Sequence, residues 1–268
     1  MILGQVLPEK EIAKELKQSA SWISECIHHL IDIGFVDLEK KGISRFARIS
    51  NNSVGTSLRL LMEENKMLNY YMIFPNSGLI ILPLLLRPGT KINEICLRTH
   101  LSKRAIYYKM KEWKSIGLID LKKYPEKVIL SNNKTYLSKF LIEYCKNRNR
   151  RFLNETYPKG NIVWEWKDEF LFSTKEKIDN EYFLQAGSTR LEEFDIELLH
   201  TSQYYYFRIG KESVSLEESL VQTIRTDPMN PRPIRITREA IKDRALNCDV
   251  LFDFAKKYGV YKILKTRL

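Results

Sequence analysis

The sequence predicts an α+β protein: two tandem copies of a helix–turn–helix–hairpin module, followed by a smaller α+β domain. Three observations carry this expectation. Residues 91–133 order two helical segments and two short strand segments between serine, glycine and proline signals. The same pattern stands 83 positions earlier in the chain. Beyond about residue 150 the apolar pattern turns to alternation and the charge changes sign. The expected boundaries are 1–72, 73–150 and 151–268.

Within the central stretch, Ile92, Ile95 and Cys96 fall at helical spacing. Ser102 is a good N-cap for a second helix, because its hydroxyl can accept an orphan backbone N–H. On that helix Ile106, Met110 and Trp113 recur at i, i+4 and i+7, which predicts one buried face. Lys103, Arg104, Tyr107, Tyr108 and Lys111 then occupy the outward face. Gly117 is placed to stop the helix. Residues 118–122 and 127–131 read as two strands around a Lys-Tyr-Pro-Glu turn.

Helix, short turn, basic helix and hairpin is an order that resembles the winged helix-turn-helix family, most closely regulators of the multiple-antibiotic-resistance and arsenic-repressor kinds. The resemblance implies that residues 102–115 form a recognition helix and residues 122–127 the wing. It also implies double-stranded DNA as the partner. Elementary physics points the same way. A helix fits the major groove, where donors on its first turns meet base edges. Hairpin cations such as Lys122, Lys123 and Lys127 are suited to phosphates. In related regulators the helices after the wing, expected here at 53–69 and 134–147, often dimerise, which implies a homodimer; the alternative is that they pack the two modules together.

In the first copy, Glu11, Ile12, Ser19, Ile23, Ile33, Gly34, Asp37 and Leu38 match Glu94, Ile95, Ser102, Ile106, Ile116, Gly117, Asp120 and Leu121. Identity therefore falls on core, cap and glycine positions. The outward chemistry differs. Residues 20–33 offer Ser21, Trp22, Ser24, Glu25 and His28, and the nearest cations are Lys40, Lys41, Arg45 and Arg48 in the wing. This copy either reads DNA weakly or serves as a protein contact. The apolar run at 77–86 that precedes the second copy, expected as a buried helix despite Pro83, has no counterpart before the first. Another helix of the chain, a second subunit or residues upstream would have to complete it. The run Lys146-Asn-Arg-Asn-Arg-Arg151 is expected to close a helix as a solvated basic end.

The net charge of +11 is concentrated: residues 101–150 alone carry thirteen Lys/Arg against four Asp/Glu, while 151–200 carry six against eleven. A basic surface confined to one module is the footprint of phosphate binding. Cys26, Cys96, Cys145 and Cys248 lack paired spacing, which suits free thiols in a reducing cytoplasm. No run approaches the ~18 apolar residues of a membrane span, and the first residues lack the pattern of a secretory signal. A cytoplasmic protein without a membrane partner is expected.

In the last third, 162–166 and 169–173 alternate around Lys167-Asp168, a hairpin signal. Further strands are expected at 183–184 and 204–209, and helices at 216–225, 237–245 and 250–257. The three prolines of 227–233 predict an irregular segment. The tyrosine-rich strand, the Ser-Leu-Glu-Glu-Ser-Leu helix and the terminal helix pair resemble the C-terminal domain of abortive-infection antitoxins. That resemblance implies a protein partner for this domain and a repressor role for the whole.

Catalytic chemistry has one candidate, Gly187-Ser188 followed by Asp195-Ile196-Glu197, since nucleotidyltransferases hold metal ions on paired carboxylates. The preferred alternative is a helix capped by Ser188 or Thr189 with acids in its first turn. Cys26 with His29 and Cys96 with His100 could be assembled into a zinc set, but both cysteines sit at core positions of separate modules. Tyr204-Tyr205-Tyr206-Phe207 could stack on bases, although alternate rings in a strand more readily pack a core and an interface. No cofactor, metal site or catalytic group is expected. The function expected is a transcriptional regulator, a repressor that could control its own gene. A replication initiator or other DNA-processing factor, and a nucleotidyltransferase-like enzyme, are the alternatives.

Overall fold

The computed structural model describes residues 6–42, 44–74, 77–87, 89–122, 127–131, 134–180, 182–198, 201–208, 211–244 and 246–268. It is an α+β protein of two compact units, Met1–Arg151 and Phe152–Leu268. Among the described residues no helix is long and apolar enough to cross a membrane.

The first unit opens with β1 (Leu7–Pro8), α1 (Glu9–Leu16), α2 (Ala20–Asp32) and the hairpin β2 (Val36–Lys41) and β3 (Ser44–Ile49). Next come α3 (Ser53–Glu64), α4 (Tyr70–Ile73), α5 (Gly78–Ile81) and a 3-10 turn at Leu82–Leu86. The order of the opening then returns as β4 (Thr90–Lys91), α6 (Ile92–Thr99), α7 (Lys103–Ser115), β5 (Ile119–Lys122) and β6 (Lys127–Leu130), and α8 (Thr135–Thr156) follows.

The internal repeat holds to the residue. Both helices of each copy start and end 83 positions apart, and the sheets have equivalent strand orders, β1-β3-β2 and β4-β6-β5. Ser19 and Ser102 each accept the backbone N–H three residues on, at 3.2 Å. Lys17 and His100 each take the left-handed conformation that ends the first helix. The two-residue strands β1 and β4 were not expected from periodicity. Each adds a third strand by pairing with the second arm of its hairpin, Leu7 opposite Ala47 and Thr90 opposite Val128.

The apolar run at 77–86 does not form the single helix expected of it. Pro83 lacks the N–H that would continue an α-helix, and the chain tightens into 3-10 geometry there while still burying Leu82, Leu84 and Leu85. Two other expectations need correction. Helix α3 stops at Glu64, and α8 runs on to Thr156, so the Lys146–Arg151 run is helix interior rather than a helix end.

Part of that run completes the first copy. Asn147 Nδ2 donates to the Ile33 carbonyl at 2.9 Å, and Arg151 Nη1 donates to the Asp32 carbonyl at 2.8 Å. These donors satisfy carbonyls at the end of α2 that have no partner within the helix. Phe35 packs edge-on against Phe140 and Tyr144 of α8. It belongs to one continuous core with Leu61 of α3, Leu82, Ile106, Trp113 and Phe140, whereas Ala13, Ile23, Ile27 and Ala47 form a small core of their own. Helices α3 and α8 of the same chain therefore pack against the first copy.

Gly34 and Gly117 occupy matching left-handed positions, φ +79° and +65°. A Cβ at Gly117 would meet nothing within 4 Å, but one at Gly34 would lie 2.3 Å from Asn147 Nδ2. Gly117→Ala should therefore lose about 1–2 kcal/mol from backbone strain alone. Gly34→Ala should lose about 1 kcal/mol more, because the Asn147 hydrogen bond must break. Paired urea titrations check the difference, and equal losses would contradict the clamp on α2.

The second unit contains β7 (Asn161–Trp166), β8 (Glu169–Thr174), β9 (Leu184–Gln185), α9 (Gly187–Leu191) and β10 (Gln203–Phe207), then α10 (Leu216–Thr226), α11 (Pro231–Asp243), α12 (Cys248–Lys257) and α13 (Tyr261–Arg267). The antiparallel sheet runs β7-β8-β10-β9. Both faces of β10 are covered: Tyr205 and Phe207 join Phe170 and Phe172, while Tyr206 joins Trp164, Val221 and Tyr258. The proline-rich segment is partly helical, contrary to expectation. Pro231 opens α11 at a position where no backbone N–H is needed.

Beside Tyr206 lies a buried ionic network that joins four elements. Lys257 Nζ is 3.0 Å from Glu169 Oε2 and 3.1 Å from Glu218 Oε1, and Lys211 also pairs with Glu218. Tyr206 donates to Glu169, and Tyr258 donates to Glu218 at 2.7 Å. Gln222 Nε2 donates to the Tyr258 oxygen at 2.7 Å and its carbonyl accepts the Gly187 N–H at 2.9 Å. Two carboxylates thus face two ammonium groups, so the charges are compensated within the fold.

Candidate nucleic-acid interface

Helix α7 is held from within. Ile106, Met110 and Trp113 are fully buried, and the Trp113 indole N–H donates to the Met72 carbonyl at 3.1 Å. Gly117 lets the chain reverse, so that Leu118 N–H bonds back to the Trp113 carbonyl at 2.9 Å. These anchors fix which face of the helix looks out. On it, Ser102, Lys103, Arg104, Tyr107, Tyr108 and Lys111 are all exposed, with Tyr108 at 69%. Lys103 Nζ stands 6.0 Å from the Tyr107 ring centroid. The helix's other mid-length cation turns inward: Lys109 is buried, bonded to Glu112 at 3.1 Å and set over the Trp113 ring. A cleft of about 570 Å³ opens beside the exposed face, lined by Ser77, Ser102, Arg104, Tyr108 and Glu112.

The first turn of α7 contradicts ordinary helix electrostatics. A helix N-terminus carries partial positive charge and favours acids. Helices α1, α6, α10 and α12 each place Asp or Glu in that turn. Helix α7 has none and begins with Lys103 and Arg104. Cations added to exposed N–H dipoles make a local positive field that an anion relieves. Helices α2, α3, α11 and α13 also lack an acid there; α11 and α13 carry Arg232 and Lys262 in that turn, whereas the α2 residues that match Lys103 and Arg104 are the neutral Ala20 and Ser21.

In the adjoining sheet, Lys91 on β4, Lys127 on β6 and Lys122 on β5 stand at one register position across three strands. Lys91 and Lys127 are directly opposed, and like charges so placed disfavour a sheet unless a counter-charge joins them. Lys91 was missed from the sequence because the two-residue strand that carries it has no alternation to detect. Lys123 lies outside the described residues.

The first copy's candidates fall elsewhere. Lys40 and Arg45 face each other across β2 and β3, and both are exposed. Lys41 is 3.5 Å from Glu39 and also lies over the Phe46 ring, so its charge is partly answered within the hairpin. On α2, Trp22 is 49% exposed, with Ser21, Glu25 and His28 also outward and no lysine or arginine among them. The five outward α7 positions thus correspond to Ala20, Ser21, Ser24, Glu25 and His28.

In the second unit, the Gly187-Ser188 turn does not use either expected cap. Helix α9 starts without a side-chain cap, and Thr189 Oγ1 instead accepts the Tyr204 N–H at 2.7 Å. Asp195 and Glu197 fall in turn and coil after α9, and with Glu192 they line a separate open cavity of about 670 Å³. Compared with protein families and with curated proteins, the chain has no match.

Proposed function

We propose that this protein is a winged helix-turn-helix regulator that binds double-stranded DNA, with α7 reading the major groove and the β5–β6 hairpin holding phosphate. The observation that carries the proposal is the cationic first turn of α7. Lys103 and Arg104 sit where a helix ordinarily carries acids, beside exposed Tyr107, Tyr108 and Lys111. That arrangement disfavours the free protein and favours an anionic partner. The row Lys91, Lys127 and Lys122 has the same sense. In this reading Arg104 and Lys103 supply base-edge donors, the tyrosines flank them, and the lysine row fixes register on the backbone.

The first copy contributes its wing cations Lys40 and Arg45, and α2 reads no bases. A homodimer in the cytoplasm would bring two α7 helices to half-sites about 34–36 Å apart, on an inverted repeat. Bound there, the protein would exclude other factors from the site, which is repression. The C-terminal unit is left for a protein partner.

The test is fluorescence anisotropy with a duplex taken from upstream of the protein's own coding region, against a scrambled duplex of equal length. A preference of about 10³-fold or more is expected for a sequence reader. Equal affinity for the two duplexes would reduce the protein to a general phosphate binder.

A further inference from the structure

Helix α11 buries one side and charges the other. Pro233, Ile234, Thr237 and Ala240 are buried, while Arg235, Arg238 and Lys242 recur at i, i+3 and i+7 and are exposed. The Arg238 guanidinium donates to the Arg267 carbonyl, which brings the end of α13 against this stripe. Helix α13 has no acid and exposes Lys262, Lys265 and Arg267. At ~1.5 Å of rise per residue, α13 and the stripe on α11 are each about 10 Å long, so the six cations share a surface roughly 20 Å across.

The fold does not answer these charges. Residues 231–268 carry ten Lys/Arg against four Asp/Glu. Arg235 meets Glu239 at 3.8 Å, but both side chains are mostly exposed and such a pair contributes little. Arg238 is held by a carbonyl, and the cations in the last turn of α13 suit its dipole. Among the described residues, Lys242, Lys262, Lys265 and Arg267 form no ion pair.

The kind of partner follows from what this face lacks. Helix α11 has no aromatic residue. Tyr261, the one ring of α13, is half-buried edge-on to Phe252, beneath Lys256 and Lys265. Without exposed rings there is no platform for unpaired bases, and no aromatic anchor of the kind that carries protein interfaces. What remains suits a regular polyanion. A duplex offers one phosphate per ~3.4 Å of axis on each strand, so about six lie along a span of this size.

We propose that the α11–α13 face binds the phosphate backbone of double-stranded DNA without reading sequence. It gives the second unit its own hold on a duplex, whether or not α7 reads bases, and leaves the other faces of the unit to a protein partner. Contacts of this kind raise the affinity for every duplex alike and fade as salt rises.

The test is a salt series of anisotropy on the full-length chain with the scrambled duplex. Changing Arg235, Lys242, Lys262 and Lys265 to glutamine together is expected to weaken binding about 10²-fold and to flatten the salt slope by about 3–4, at ~0.9 per phosphate contact. All four side chains are exposed, so the melting temperature should stay within about 2 °C of wild type. The charge-conserving set Arg235→Lys, Lys242→Arg, Lys262→Arg and Lys265→Arg should keep the wild-type slope. The glutamine set should weaken the upstream duplex by the same factor, leaving any sequence preference intact, which separates this face from α7. A salt slope unchanged by the glutamine set would overturn the proposal. So would equal losses on poly-glutamate or on the single strand, which would make the face a general polyanion surface.

Discussion

Duplex affinity is expected to fall about 10²–10³-fold when Lys103, Arg104 and Lys111 are changed to alanine together, from ~1–3 kcal/mol for a bidentate base contact and smaller amounts for the two lysines. The slope of log affinity against log salt should flatten by only about 1, since Lys103 and Arg104 meet base edges and a phosphate contact by Lys111 contributes ~0.9. All three side chains are exposed, so folding should survive. Removing Lys103 and Arg104 from the first turn should even stabilise α7 slightly, as the cations there oppose its dipole. The matched variant Lys40→Ala, Lys41→Ala, Arg45→Ala should lose less than ~10-fold, because Lys41 is already answered by Glu39. Equal losses in the two variants would mean that affinity tracks total charge rather than α7.

Glu218→Gln is expected to be the most damaging single change in the second unit, at about 3–5 kcal/mol of stability, because it leaves Lys211 and Lys257 with an uncompensated buried charge. Burial by itself pushes the Glu218 carboxyl up. Lys257 and Lys211 beside it, with hydrogen bonds from Lys211 and Tyr258, outweigh that and hold it below its ordinary value of 4.5. The sign of the pH effect follows. A depressed carboxyl lends stability that is fully present above about pH 4.5 and is lost as pH falls through its lower folded value. Tyr258 keeps its proton throughout, since burial and the Glu218 carboxylate raise its hydroxyl well above the usual range. Chemical unfolding of wild type should therefore show stability falling on acidification below this point. Glu218→Gln should be less stable at neutral pH and should lose that part of the acid dependence. A neutral effect at pH 7 would mean that the network is better solvated than its burial indicates.

The features legible in the sequence are those with local causes. Ser19 and Ser102 cap, Gly34 and Gly117 reverse the chain, and Ile106, Met110 and Trp113 bury one face. Each signal lies within a few residues of its effect, which is why the duplicated helices are legible in the sequence alone. What stayed hidden depends on distant partners. Asn147 and Arg151 look like a solvated basic end until α2 is seen to terminate against them. Glu169, Glu218 and Lys257 come together only when β8, α10 and α12 pack, and nothing near any of them announces a buried ion network. Strands of two residues, such as Thr90–Lys91, are too short to alternate. For the candidate interface, the α7 residues could be named from helical spacing alone, but Lys91 required the register of a sheet.

The central claim is that α7, and not α2, meets the bases. It is tested most directly by photocrosslinking the full-length protein to a duplex substituted with 5-iodouracil and mapping the joined peptide by mass spectrometry. The account predicts attachment at Tyr107 or Tyr108, lost when both are changed to phenylalanine's non-aromatic counterpart leucine and retained when Trp22 is changed. Crosslinks confined to Trp22 or to residues of the second unit would contradict it.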